Sequence, residues 1–471
     1  MAGKFQEQKT KTRKKKKKSK KFGAVLLCVM VPVLCGLLFG AWMISSLPGF
    51  AFLGKRPEYV YVPPKQPATA KVEPTETVPP TEPATKVATA TIGSTGGIMM
   101  HDPVIKSGYD PETQTYNYDN IYKWFTQYAS EVDYLAANLE GTLAGTENGY
   151  PYSGHPVFNA PDEIVDAAKK AGFDLLLTAN DHSYDTSYKG FKRTQEVIEA
   201  RELDHIGTQL GKDDKTYIVR DINGIKVGMT CYTYCSGYTN AKNYIIDGVY
   251  LSTEATARIN AFHYKDLNTF YMKLAGELQE MNADGAEVNV VFLHWGTEYQ
   301  TTPDTLQKKI AQKLCDMGVD VIVGSHAQVA QPVELLTSSS YEGHKTLCIY
   351  STGNSVSNFS GGKTYPMHIE DGMLFTFTLA KYSTGTVLLE SVDVLPTWRH
   401  CYDDNGVQKF QILTMKDGAD WKTEMGLTDE LMASCQESVD RTMEIVGEGL
   451  NTANAWFAQH QEEKEIALGI R

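Results

Sequence analysis

From about residue 89 to residue 395, short apolar runs alternate with stretches of helical spacing. That alternation confines the chain to an α/β fold of packed sheets covered by helices. Segments 90–93, 134–138, 173–179, 288–293 and 319–323 read as buried strands. Between them, 118–131, 161–171, 188–201, 267–281 and 306–317 have the apolar spacing of helices. Gly172 stands where a helix ends in a left-handed residue, and Asn223-Gly224 suits a type I′ turn between strands 217–222 and 225–230. Segments 347–351, 373–380 and 387–394 read as antiparallel strands, followed by a long helix over 429–461.

In such folds chemistry gathers just beyond the carboxyl ends of strands. Here those places hold Gly93 to His101, Asn138-Leu139-Glu140-Gly141, Asn180-Asp181-His182-Ser183, His294-Trp295-Gly296-Thr297-Glu298, Gly324-Ser325-His326-Ala327-Gln328 and Thr352-Gly353-Asn354. A single histidine at a strand end is more often structural than a ligand. Several strands that each end in Glu, Asp or His are harder to read that way. Carboxylate with imidazole suits Mn, Fe or Zn, and an open coordination position activates water near neutral pH.

The ordered blocks NLEG, FDLLLTANDHSYD, HWGTEYQ, MGVDVIVGSHAQVAQPVE and IYSTGN resemble the signature of CapA-type poly-γ-glutamate capsule synthesis proteins, a branch of the metallophosphatase-like superfamily. The resemblance runs from about residue 90 to 395. It implies a four-layer α/β/β/α sandwich, a site for two divalent metals, and a role in making or handling an anionic polymer of linked glutamate.

The chain departs from that pattern at two ligand positions. The early aspartate is replaced by Gly97, and the last histidine of the family's GHHPH motif by Gln328. By analogy both served one metal, so one half-site is lost. The resemblance assigns the other metal to Glu140, Asp181, His294 and His326, which implies one ion at most. It casts His182 as general acid and Asn180, Glu298 and Asn354 as substrate contacts. His101 is a nearby candidate for a substitute ligand, which spacing alone does not establish. Two readings follow: a binding or assembly factor that kept the fold, or a single-metal hydrolase or transferase acting on an amide or phosphoester of a surface polymer.

The amino-terminal segments place this domain. Residues 1–21 carry eleven Lys/Arg against one acid, and the chain as a whole sums to −12, so the rest carries −22. An acidic body of that size does not attract nucleic acid through its field. Residues 22–44 contain no charge and span ~34 Å as a helix, enough for one membrane crossing with the basic head held in the cytoplasm. Residues 45–88 are rich in Pro and Thr and read as an extended stalk. The expected order is therefore a cytoplasmic segment (1–21), a transmembrane helix (22–44), the stalk (45–88), the CapA-like domain (89–400) and a helical extension (401–471). The protein is expected at the cell membrane as a single-pass chain with its main domain outside, partnered by the polymer or its synthesis machinery. Cys231 and Cys235 are close enough in sequence for a bridge, though nothing in the spacing demands one.

Overall fold

A computed structural model describes residues 84–147, 149–358, 368–416, 423 and 426–467, with backbone only over 461–467. The basic segment, the expected transmembrane helix and nearly all of the stalk lie outside the described residues. Among the described residues, no helix is long and apolar enough to cross a membrane.

The first half of the domain is β1 (Lys86–Ile98), β2 (Tyr134–Leu139), α1 (Glu163–Ala171), β3 (Leu175–Leu177), α2 (Ser187–Glu199) and β4 (Asp204–Ile206). The hairpin β5 (Tyr217–Ile222) and β6 (Ile225–Tyr234) leads to α3 (Leu267–Ala283), β7 (Val288–His294), α4 (Thr305–Cys315) and β8 (Val321–Ser325). Then come β9 (Val333–Thr337), β10 (Lys345–Ile349), β11 (Asn354–Val356), β12 (Asp371–Tyr382), β13 (Val387–Asp404), β14 (Val407–Thr414) and α5 (Asp429–Ala467).

These strands build two mixed sheets. One runs β14-β13-β12-β1-β2-β3-β4, with β11 also paired to β1. The other runs β6-β7-β8-β10-β9, with Ala261–Phe262 added outside β6 and β5 paired to it. Strand alternation decides what each sheet packs against. From β7, Val290 and Phe292 join Ile92, Ala136, Leu177 and Phe375 of the other sheet in one core. Their neighbours Val291 and Leu293 instead meet Leu274 and Leu278 of α3 and Ile310 and Leu314 of α4. On the opposite outer face, Leu135 and Ala137 of β2 meet Ile164 and Val165 of α1 and Ile198 of α2. Both faces of the central strands are covered, which is why they read as continuous apolar runs. The arrangement is a sheet-on-sheet sandwich with helices outside.

Three sequence readings change. The strand expected at 90–93 extends from Lys86 to Ile98, so the GSTGG run is strand rather than loop. The expected helix at 118–131 is two short turns, Asp119–Tyr122 and Thr126–Ala129. Tyr122, Phe125 and Tyr128 bury every third side chain, and Phe125 and Tyr128 donate backbone N–H bonds to the carbonyls three residues earlier. That is 3₁₀ spacing, which does not extend into a long α-helix. Residues 401–414 are not helical: they finish β13 and form β14. The helix α5 follows, and it docks through Arg441, whose guanidinium bonds both oxygens of Asp371 at 2.7 Å. Gly172 does end α1 at φ 105°, and Asn223 and Gly224 take φ 52° and 87° as a type I′ turn requires. Cys231 and Cys235 are both buried and unbridged.

Candidate metal centre

The carboxyl ends of β2, β3, β7 and β8 bring their polar residues to one place between the sheets. Two local devices shape it. Trp295 is fully buried and donates its indole N–H to the Tyr350 carbonyl at 3.0 Å, which fixes the end of β7 against the strand beyond β8. After β8 the chain turns sharply, with His326 at φ 85° and Gln328 at φ 61°. Two non-glycine residues in the left-handed region are strained backbone of the kind found at functional sites.

Asp181 sits at the centre. Its Oδ1 lies 2.8 Å from His294 Nε2, and its Oδ2 lies 3.2 Å from His326 Nδ1, an ion-pair distance without hydrogen-bond alignment. One ligand atom from each of Asp181, His294 and His326 falls within 4.8 Å of the others, and all three residues are buried. Burial opposes the Asp181 charge, but His294, His326 and His182 outweigh it and hold the carboxyl well below the usual range. Burial likewise opposes protonation of His326, yet Asp181 raises its pKa. His294 Nδ1 is 2.9 Å from the Ser325 hydroxyl, which presents Nε2 toward the centre as an outer-sphere partner does for a ligating histidine. Two imidazoles and a carboxylate from three strands, oriented in this way, fit a divalent ion of the Mn, Fe or Zn type.

Glu140 does not share that group. It falls in a second one with Asp181 and His182, again with ligand atoms within 4.8 Å. Its Oε2 accepts from Asn138 Nδ2 at 2.8 Å and its Oε1 from Gln328 Nε2 at 2.9 Å. A Cβ placed on Gly97 would lie 2.9 Å from Glu140 Oε2 and 3.1 Å from Asn354 Oδ1. Gly97 and Gln328 therefore border the same carboxylate from two sides, and Glu140 fills the room that a side chain at position 97 would need.

His182 Nδ1 is 2.9 Å from Asp185 Oδ2, which also accepts the Phe158 backbone N–H at 2.7 Å. Burial works against its charge, but Asp181 and Asp185 raise the His182 pKa to about 10. Asp185 was not singled out from the sequence; the only available signal was its place three residues after His182.

The expected substrate contacts separate. Glu298 is exposed and lines a cavity of about 400 Å³ together with Asp181, His182 and His326. Asn180 does not. It is fully buried, with Nδ2 bonded to Asn138 Oδ1 and the Leu139 carbonyl and Oδ1 accepting the His182 backbone N–H. It braces two loops. Asn354 is also buried and donates to the Gln328 carbonyl at 3.3 Å. His101 packs edge-on against Phe158 and belongs to neither ligand group. Met99, His155, Tyr234, Asp247 and Tyr299 complete the cavity wall, Tyr234 from the end of β6 and Tyr299 from the HWGTEYQ block.

Comparison with known proteins finds relatives of this chain. The family model described as Bacterial capsule synthesis protein PGA_cap matches residues 91–359, which include every residue of both ligand groups. Capsule biosynthesis protein CapA of Bacillus anthracis is 28% identical over 280 residues, covering 59% of this chain and 61% of that protein. PGA biosynthesis protein CapA of Bacillus subtilis (strain 168) is 27% identical over 301 residues, covering 64% of this chain and 70% of that protein. The match thus spans less than two thirds of the first relative's length.

Proposed function

Since the chain belongs to the bacterial capsule synthesis protein family, we propose that it helps make or handle a poly-γ-glutamate-type surface polymer from the outer side of the membrane. In this reading the uncharged run 22–44 anchors a metallophosphatase-like four-layer domain, and the basic head stays inside. The family's second metal position is closed at its usual place, because Gly97 and Gln328 supply no ligand and Glu140 is tied to two amides. The domain then acts as a binding or assembly factor.

The convergence of Asp181, His294 and His326, of which Asp181 and His326 line the cavity, carries this reading. Among the described residues no Lys or Arg lines that cavity, while Asp181, Asp247 and Glu298 do. A bound divalent cation would supply the positive charge that polymer carboxylates need there. The second reading, a hydrolase or transferase acting on an amide or phosphoester, is favoured by the His182–Asp185 pair beside the same cavity. A histidine so oriented suits proton donation to a leaving group.

The test uses the full chain in detergent, stripped with chelator and reloaded with Mn(II). Poly-γ-glutamate should be retained by the loaded protein and not by the stripped one, and His326→Ala should abolish retention. Retention that ignores the metal would overturn the reading. Cleavage of the polymer by the loaded protein would favour the second.

A further inference from the structure

The cavity beside the metal position carries two carboxylates whose charge nothing on the protein answers. Asp247 and Glu298 are exposed, line the cavity, and have no hydrogen-bond or ion-pair partner among the described residues. Asp247 comes from the two-residue turn Asp247-Gly248, at φ 44° and 74°, between the paired residues Ile246 and Val249. Glu298 comes from the loop after β7. Tyr234, at the end of β6, lies within electrostatic reach of both and of Asp181. We propose that Asp247 and Glu298 hold the ammonium of a free amino end, so that the cavity takes the terminal residue of the polymer and not an interior one. This rests on the polymer-binding reading above.

The cation these two carboxylates fit is organic. Among the described residues, neither belongs to a group of three or more side chains close enough to share a metal ion. Tyr234 and Tyr299 line the same cavity, and aromatic rings favour organic cations. A separate observation at the inner end also points to a ligand. His182 is 6% exposed and lines the cavity, and Asp185 holds its Nδ1. Its Nε2 has no hydrogen bond among the described residues, so a buried polar atom there lacks a partner that a ligand oxygen can supply.

The two ends of the cavity therefore differ. Asp181, His182 and His326 are buried, while Asp247 and Glu298 are exposed. In a γ-linked chain every interior residue has its amino group in an amide and keeps only the α-carboxylate. The amino-terminal residue alone carries an ammonium and a carboxylate on one carbon. Its carboxylate matches the inner end, with the cation position and His182, and its ammonium matches the outer carboxylates. An interior stretch would instead set further carboxylates against Asp247 and Glu298, and like charges reject it. A volume of about 400 Å³ is near the small end of ligand sites, which suits a chain end.

The probes are a γ-linked glutamate hexamer with a free amino end and the same hexamer N-acetylated, titrated calorimetrically into the Mn(II)-loaded full chain in detergent. Acetylation should weaken binding by about tenfold or more, as loss of a charged partner does. Amidation of the opposite, γ-carboxyl end should change little. Asp247→Asn and Glu298→Gln should each weaken binding of the free-amine hexamer and shrink its advantage over the acetylated one. Their Mn(II) content should stay at the wild-type value, which reports that both variants fold. Equal, metal-dependent binding of both hexamers by the wild type would overturn this inference and leave the polymer-binding reading standing. A preference for the free amine that survives unchanged in both variants would also overturn it. Failure of the loaded wild type to bind either hexamer would overturn both.

Discussion

Gly324→Ala tests how tightly the metal centre depends on strand packing. Gly324 lies in β8, two residues before His326. A Cβ there would fall 1.9 Å from the Tyr350 carbonyl oxygen and 2.5 Å from Trp295 Nε1. Opening the first contact to 3.0 Å, the closest that real Cβ atoms tolerate, requires backbone to move by more than an ångström. The neighbour is main chain, so no side-chain rotation relieves it. The 3.0 Å hydrogen bond from Trp295 to Tyr350 occupies the same space and would break. Overpacking of this kind costs about 1–3 kcal/mol, and a buried donor left unmatched about 1–3 more. Taking about 4 kcal/mol, and an unfolding entropy of about 0.8 kcal/mol/K for a domain of this length, Tm should fall by about 5 °C. Ser325 would shift with the strand and release His294, and loss of such an outer-sphere contact weakens metal affinity about 10–100-fold. Calorimetry of the metal-free chain and Mn(II) titration of the folded variant measure the two effects. An unchanged Tm with unchanged affinity would refute the packing argument.

Three further outcomes follow from the same geometry. Gly97→Ala should cost about 1–2 kcal/mol in denaturant unfolding by pushing on Glu140, and Gln328→Ala should cut that penalty because it frees the carboxylate to move; strict additivity in the double mutant would show that the two positions do not meet there. Arg441→Met should cost about 3 kcal/mol and expose α5 to protease, because Asp371, with a side chain 6% exposed, loses its bidentate partner. Burial raises the Asp204 pKa, but Arg220 and Tyr134 more than reverse this and leave it lowered, so its contribution is present above the ordinary carboxylate pKa and lost as pH falls below it; Arg220→Met should flatten the stability curve on that acid side and leave it parallel to wild type near pH 7.

Much of this was legible in the chain itself because it depends on short-range pattern. Continuous apolar runs marked strands covered on both faces, Asn223-Gly224 marked a hairpin, and the polar residue after each strand marked where ligands emerge. The order of those blocks carried the family. Other features were set by contacts that spacing does not encode. The i→i+3 burial of Tyr122, Phe125 and Tyr128 turned an apparent helix into two turns, and pairing with β13 drew residues 407–414 into a sheet. At the site, β2 and β3 lie side by side in one sheet and β7 and β8 in the other. Which side chains come within a few ångströms across that gap depends on sheet packing and rotamer. That is why Asp181, and not Glu140, proved to be the residue common to both ligand groups, why Asn180 became a brace, and why Asp185 emerged as the partner of His182.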